Sequence, residues 1–497
     1  MPKSYQQFLE RLRQIQCLNG TMALLSWDQE VTMPPGGARD RAAHRAALAG
    51  VIHEKLVDPE LAALLAKLAE AVDLDAAARA NVRLTQQAHA RAVRLPAALV
   101  RDQAQTASLA HGEWVQARAE DDWLRFAPFL DRLVDLKRQE AAALAIGDEP
   151  YDALLDSFET GARTADLLPV FAHLRVSLAE LLGRCPVRGR APSPRPAGIF
   201  PNDRQHELCR RVLTAIGYDF ARGRLDISAH PFTETMGLGD VRVTTRYQSD
   251  NPLSGLYAVL HEGGHALYEQ GLPADLRDLP AGQPASLGIH ESQSQLWENF
   301  VGRSRAFCEW LAPLLRELFP AAYEGFTAAD FYRAVNERTH TPIRIEADEV
   351  AYNLHIILRF EIERALIGGD LQAADVPALW REKARAYLDL DVRDDRTGAL
   401  QDIHWCTGGF GYFPTYALGN LYAAMFWETA QRDLVDLEDQ LAAGQTDALR
   451  QWLRERIHAR GAVLTAGELC REVTGRELDA APFLAYLQQK YGELVDI

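Results

Sequence analysis

The chain has 497 residues, of which 47% are hydrophobic and 25% are charged, a composition typical of a globular protein with a large core. Its 69 acidic residues outnumber 53 basic ones, and the net charge of −16 argues against binding to a nucleic-acid backbone or docking on an anionic membrane. No stretch approaches the roughly 20 apolar residues of a membrane span, and the N-terminus lacks the apolar core of a signal peptide. The six cysteines are dispersed without a CxxC pair, which favours reduced thiols, so we expect an acidic cytoplasmic protein.

Helical periodicity dominates the first 185 residues. Apolar residues recur at three- and four-residue spacing over 61–90 and 126–146, and each run predicts helix. The segment 25–41 predicts a loop, because Pro34-Pro35-Gly36-Gly37 cannot continue a helix. The segment 185–201 contains five prolines and predicts a connector.

One short segment departs from the helical pattern. Residues 240–247 alternate and are β-branched, which predicts a strand or hairpin. Further helices are expected to stop at Gly271 and at Gly368-Gly369. The sequence therefore predicts a mainly α protein with a small β element near its middle.

The sequence HEGGH at 261–265 is an HExxH motif. On a helix His261 and His265 lie one turn apart on one face, so both imidazoles can reach one metal ion. Glu262 can then act as general base toward water at that metal. The helical context is present, because Asn251 can cap a helix whose first position is proline. The competing interpretation is two histidines on an ordinary helix.

Two glycines stand inside this motif, Gly263 and Gly264. Each costs about 1 kcal/mol of helix propensity relative to alanine. Close approach of a substrate or backbone and tight helix packing would each explain them.

A catalytic zinc site of this kind needs a third protein ligand. No histidine follows in the HExxHxxGxxH arrangement, so a carboxylate on a downstream helix is expected. Glu291 and Glu298 are both candidates, about 10 Å apart along a helix, and only one can bind the same ion.

Several motifs in order resemble the M32 family of metallocarboxypeptidases, the carboxypeptidase Taq type. They cover about residues 229–420, and family-like character extends to the WDQ segment at Trp27. One departure is Gln295, where many relatives have arginine. The motifs are HPF at 230–232, DVRVT at 240–244, HEGGHALYEQG at 261–271, HES at 290–292, IRIEADE at 343–349, GALQDIHW at 398–405 and GGFGYFPTYALGN at 408–420.

The resemblance implies a metal-dependent carboxypeptidase that hydrolyses the C-terminal peptide bond and releases single amino acids with broad specificity. It matches His261 and His265 to the metal ligands and Glu262 to the general base. It also selects Glu291, the glutamate of the HES motif, over Glu298 as the third ligand. Zinc is the expected ion, and cobalt is possible in its place.

Side chains that stabilise the tetrahedral oxyanion are expected in the glycine-rich loop. His404 and Tyr412 are the preferred candidates, and Tyr416 is a third candidate that could also bind substrate. Structural hydrogen bonding is the competing role for each of them. Asp348 and Asp402 are candidates for orienting the ligating histidines.

An exopeptidase must also bind a free carboxylate, and arginine suits it because its fork binds carboxylates bidentately. The resemblance makes Arg344 the first candidate. Arg242 is the second, with a salt bridge to Asp240 as the competing role. His230 is a candidate for positioning substrate, with packing as the competing role.

For architecture we expect a compact, mainly α gluzincin-type unit with a deep groove and a β element beside the zinc. Residues 1–200 are expected to form a helical region covering the groove, and residues 201–497 the zinc-binding region. Relatives imply a homodimer that acts on short peptides with a free C-terminus. The competing function is an oligoendopeptidase that cuts internal bonds, and a catalytically idle helical scaffold is the competing class.

Overall fold

The computed structural model describes residues 3–185 and 196–496. Most of the connector expected at 185–201 therefore lies outside the described residues. Within the described part of the chain, none of the helices combines the length and the apolar character needed to cross a membrane.

Helices carry most of the described chain, which confirms the mainly α prediction. The helices are α1 Lys3–Val31, α2 Ala38–Leu56, α3 Pro59–Ala69, α4 Ala76–Arg94, α5 Ala97–Glu120, α6 Trp123–Leu144, α7 Pro150–Leu155, α8 Thr164–Arg184, α9 Asn202–Ala215, α10 Pro252–Gly271, α11 Leu287–Gln295, α12 Arg305–Leu318, α13 Ala328–Val335, α14 Glu349–Gly368, α15 Val376–Leu388, α16 Phe413–Asp433, α17 Leu437–Ala442, α18 Asp447–Arg456, α19 Ala466–Thr474 and α20 Ala481–Asp496. The strands are β1 Leu225–Ile227, β2 Thr233–Gly237 and β3 Asp240–Thr245.

The loop expected at 25–41 is wrong at both ends, because α1 covers 25–31 and α2 covers 38–41. Helix α1 runs through Val31, and Trp27 is buried on it. The prolines do end the helix, and a single 3₁₀ turn at Pro35–Gly37 leads into α2. The α-helix thus continues past the buried Trp27 and ends three residues before Pro34, where proline cannot continue it.

The predicted strand is the centre of a three-stranded sheet. β3 pairs with β1 in parallel and with β2 in antiparallel register. Val241 and Val243 of β3 are fully buried. β1 and β2 were not predicted, because three to five residues of mixed polarity carry little pattern of their own.

The predicted helix ends are confirmed. The Asn251 side chain accepts a hydrogen bond from the Leu253 amide at 3.2 Å and caps α10. Helix α10 ends at Gly271, and α14 ends at Gly368, with Gly369 in the left-handed region at φ 95°.

The described residues form two compact units. The first takes its residues from 3–93, 196–335 and 425–477, and the second from 94–185, 336–424 and 478–496. Each unit draws on residues from either side of position 200, and the division of roles expected there stays a prediction.

Candidate functional site

Three ligand-type side chains meet in the first unit. His261 and His265 lie one turn apart on α10, and Glu291 lies on α11, whose first turn is capped by Ser286. Glu291 Oε2 is 3.9 Å from His261 Nε2 and 3.6 Å from His265 Nε2. Ligands of a tetrahedral zinc ion lie about 3.3 Å apart, so a small shift would let all three bind one ion.

The chemistry of this group fits a divalent cation. Burial alone lowers the pKa of His261, but the carboxylates of Glu291 and Glu298 outweigh burial and raise it to about 10. The site thus favours positive charge even without an ion. Two imidazole nitrogens and one carboxylate oxygen are also a donor set found in catalytic zinc sites.

Glu298 occupies the other side of His261. A π-helical segment at Leu296–Val301 continues α11 and carries Glu298, whose Oε2 lies 2.9 Å from His261 Nδ1. Arg303 donates to the second carboxylate oxygen at 3.1 Å. Proton donation from Nδ1 leaves the Nε2 lone pair of His261 for a metal. The structure therefore places Glu291 at the metal-facing nitrogens and Glu298 behind one of them.

A similar arrangement supports His265, and the sequence did not reveal it. His265 Nδ1 hydrogen-bonds to His290 Nδ1, and His290 Nε2 lies 2.9 Å from Glu269 Oε1. If His290 donates to Glu269 and accepts from His265, the Nε2 of His265 is left for the metal. The sequence did contain a signal for these contacts, because Glu269 is four residues after His265 on α10 and His290 directly precedes Glu291.

Thr233 holds the side chain of Glu262. The Thr233 hydroxyl lies 2.8 Å from Glu262 Oε2 and 2.8 Å from the Glu262 carbonyl oxygen. Burial raises the pKa of Glu262 above its usual range, which suits a group that must gain and lose a proton. Thr233 lies on β2, so the small sheet orients the proposed base. Thr233 was also missed, although it directly follows the HPF motif.

Gly264 of the motif allows close packing of α10 on α11. A Cβ on Gly264 would lie 2.5 Å from the carbonyl oxygen of Gln293 and 2.7 Å from Ser294 Cα. Helices α10 and α11 therefore touch through backbone close to Glu291. This contact accounts for Gly264 without an approaching substrate.

Gly264→Ala is expected to lower the free energy of unfolding by about 1–3 kcal/mol and to weaken metal binding. The added methyl group would push α10 away from the backbone that carries Glu291. Urea unfolding followed by circular dichroism and a metal titration of the apoprotein measure the two effects.

Gly263→Ala is the matched control. A Cβ there would meet only side-chain ends, Leu213 Cδ2 at 2.8 Å and Ile216 Cδ1 at 2.9 Å, which can move. Its gain of about 1 kcal/mol in helix propensity offsets the crowding, so the free energy of unfolding should stay near wild type. Metal affinity should also stay near wild type, because the methyl group does not press on the backbone near Glu291. Equal loss of metal in both variants would contradict the backbone-contact explanation.

The remaining candidates of the first unit have structural partners. Arg242 donates to both carboxylate oxygens of Asp240, at 2.8 and 2.7 Å, and its guanidinium lies 4.2 Å from the ring centre of Trp27. The salt bridge to Asp240, which was the competing role for Arg242, is thus present in the structure. His230 is exposed, and its carbonyl oxygen accepts a hydrogen bond from Ser228.

Arg344 lies in the second unit and is 6% exposed. Its Nε donates to Asp402 Oδ1 at 3.0 Å, and Nη1 donates to the Tyr352 hydroxyl at 3.1 Å. Asp402 also binds the fully buried Arg359 at 2.6 Å. Two guanidinium groups thus face one carboxylate, and the three side chains together carry a net charge of +1 that would attract an anion.

Asp348 also has partners in its own unit. Its side chain caps α14 by accepting from the amides of Val350 and Ala351, and it pairs with Arg338 at 2.8 Å. Neither Asp348 nor Asp402 has a histidine within hydrogen-bond distance among the contacts in the described residues; the nearest, His404 Nδ1, is 3.9 Å from Asp402. The expectation that these two aspartates orient ligating histidines is therefore wrong, because arginines and a helix end take their oxygens.

His404, Tyr412 and Tyr416 lie together in the second unit. His404 Nε2 is 3.3 Å from the Tyr416 hydroxyl, and the ring centres of His404 and Tyr412 are 5.6 Å apart. Burial lowers the pKa of His404 to about 4, so its ring is neutral at pH 7. Its Nδ1 is buried, has no hydrogen-bond partner among the described residues and lies 3.9 Å from Asp402 Oδ1.

Comparisons with known proteins identify the family to which the chain belongs. The chain is 44% identical to thermostable carboxypeptidase 1 of Thermus thermophilus, over 99% of both chains. The crystal structure of an M32 carboxypeptidase from Deinococcus radiodurans R1 is 38% identical and superimposes with a TM-score of 0.97 over 100% of both chains. Metallocarboxypeptidase 1 of Trypanosoma cruzi is 36% identical, with a TM-score of 0.95 over 98% of this chain and 99% of that one. The profile of the carboxypeptidase Taq (M32) metallopeptidase family matches residues 7–491, and the chain belongs to that family.

Proposed function

We propose that the protein hydrolyses the last peptide bond of short peptides and releases single C-terminal residues with broad specificity. As a member of its family the chain is a metal-dependent carboxypeptidase that acts on peptides. The observation that carries the proposal is the group of His261, His265 and Glu291, whose ligand atoms could hold one ion, beside the buried Glu262 carboxylate. Zinc is the ion we propose, with cobalt possible in its place.

A bound divalent ion would lower the pKa of water to about 7 and polarise the scissile carbonyl. Glu262 accepts the proton of the attacking water at a carboxylate oxygen and later delivers it to the leaving amine. Thr233 keeps that carboxylate in one orientation by donating to Oε2. Glu262 would thus both activate the water and protonate the leaving amine.

Further side chains, outside the ligand group, are proposed to bind the substrate. Arg344 takes the terminal carboxylate, because the Arg344, Arg359 and Asp402 group retains one positive charge. His404 and Tyr412 donate to the oxyanion, and the 5.6 Å between their ring centres supports a shared role. Tyr416, Arg242 and His230 remain candidates for further substrate contacts.

The oligoendopeptidase alternative is disfavoured, since the family and the named relatives are carboxypeptidases. We further propose a cytoplasmic homodimer without nucleic-acid or membrane partners. The net charge of −16 supports the last two points. The homodimer rests on the family resemblance.

An N-blocked tripeptide in free-acid and C-terminal amide forms tests this function by mass spectrometry. We expect loss of one C-terminal residue from the acid alone, because only the acid offers a carboxylate to Arg344. Chelator should abolish the reaction, and zinc or cobalt should restore it. Internal cleavage of both forms would instead indicate an endopeptidase.

Arg344→Ala tests, in the same assay, whether Arg344 binds the terminal carboxylate. Loss of a charged hydrogen-bonding partner should raise KM for the acid by about 10–100-fold. Arg338→Ala is the control, because Arg338 pairs with Asp348 in the same unit at 2.8 Å and has no proposed substrate role. Similar KM values for the two variants would remove Arg344 from carboxylate binding.

A further inference from the structure

A buried carboxylate in the second unit has no part in the chemistry described so far. Glu363 lies on α14 and its side chain is fully buried. Oε2 accepts hydrogen bonds from the Tyr151 hydroxyl at 2.7 Å and the Gly411 amide at 3.0 Å. Oε1 accepts from Trp405 Nε1 at 2.9 Å. Three donors therefore converge on one side chain.

Two of those donors belong to the glycine-rich loop before α16. Trp405 directly follows His404, and Gly411 directly precedes Tyr412, so Glu363 binds the neighbours of both proposed oxyanion donors. Between them the loop closes on itself, because the Gly409 amide donates to the His404 carbonyl oxygen at 2.7 Å. One carboxylate thus joins the two ends of a compact turn.

Gly411 brings the loop against α7. It has φ +89°, and a Cβ there would lie 2.6 Å from the carbonyl carbon of Leu154. Any other side chain would have to move the backbone at this point. The position of the loop is therefore defined at Gly411 by a close contact and by a hydrogen bond to Glu363.

A carboxylate is the group that this arrangement requires. All three partners donate, and a carboxylate accepts at both oxygens, whereas an amide would turn an NH₂ group toward at least one donor. Glu363 has no cationic partner within the described residues, and its burial raises its pKa to about 7. A buried acid without a charged partner is costly for folding even when it is hydrogen-bonded, so stability alone does not account for it.

We propose that Glu363 is a positioning residue that holds residues 404–412 in the conformation required for turnover. It acts through Trp405 and Gly411 on the orientation of His404 and Tyr412, and it does not touch substrate. The proposal rests on the roles given above to His404 and Tyr412.

The test compares Glu363→Gln with Tyr151→Phe in the metal-loaded protein. Tyr151→Phe removes a donor to the same carboxylate from outside the loop. We expect Glu363→Gln to lower kcat at least tenfold with KM within about threefold. Hydrogen–deuterium exchange should quicken in residues 401–413 and stay unchanged around His261 and His265. Tyr151→Phe should keep kcat and loop exchange near wild type, whatever its melting temperature.

Trp405→Phe provides a second variant if Glu363→Gln does not fold. It removes one loop-side hydrogen bond and leaves the carboxylate in place. It should lower kcat in the same direction, and the two changes combined should cost less than the product of their separate effects.

Three results would overturn the proposal, and the third has a different meaning from the first two. Unchanged loop exchange in Glu363→Gln, or an equal loss of kcat in Tyr151→Phe, would show that Glu363 does not position the loop. Faster loop exchange with unchanged kcat would show that the loop conformation does not control turnover. In that case His404→Ala should also leave kcat unchanged, and the failure would lie in the proposed oxyanion role.

Discussion

Glu262→Gln is expected to bind metal like the wild type and to lower kcat by about 10²–10⁴-fold. The glutamine oxygen can still accept the hydrogen bond from Thr233, so the local structure should persist, but an amide cannot take a proton from water. Elemental analysis of the purified variant and kcat on an N-blocked dipeptide measure the two quantities.

Thr233→Val is the control for this result. It removes the hydroxyl that orients Glu262, 2.8 Å from Oε2, and leaves the carboxylate able to accept a proton. Its loss of kcat should be much smaller than that of Glu262→Gln. Turnover by Glu262→Gln within tenfold of wild type would exclude Glu262 as the general base.

Glu291→Ala is expected to abolish stoichiometric metal binding, and with it activity. It removes one of three ligands from a buried site, and water is a weaker ligand than a carboxylate. Metal content after dialysis and the affinity from competition with a chromophoric chelator measure the effect.

Glu298→Ala is the matched comparison, because Glu298 contacts the same histidine through its other nitrogen. Loss of such an outer partner typically costs 10–100-fold in affinity, so the variant should still bind one equivalent of metal at high concentration. If Glu298→Ala loses metal and Glu291→Ala keeps it, the third ligand must be reassigned.

The parts of the site that the sequence could predict depend on residues close together within one helix. The HExxH spacing, the Asn251 cap and the stop at Gly271 all act within one helix, so α10 and its ligand pair were predictable. The residues alone did not decide whether Glu291 or Glu298 is the third ligand, since seven residues in a regular helix return to nearly the same face. The family resemblance selected Glu291, and the geometry places its carboxylate at both Nε2 atoms.

The parts that were missed depend on tertiary contacts. Thr233, Glu269 and His290 reach the site through sheet pairing and helix packing, which sequence spacing does not encode. The burial of Asp402 between two arginines is of the same kind, because Arg359 looks like any other helix residue in the sequence. The role of Gly264 became clear only from the backbone of the neighbouring helix.

The π-helical segment at Leu296–Val301 has a consequence for how this site tolerates changes in chain length. A π turn contains about one residue more than an α turn, so residues beyond it are rotated by about 100° relative to an uninterrupted helix. Deleting one residue between Glu291 and Glu298 would turn Glu298 by about 100° away from His261 while Glu291 stayed in place. The position of Glu298 on His261 therefore depends on the number of residues that separate it from Glu291, so this helix is constrained in residue number as well as in residue type.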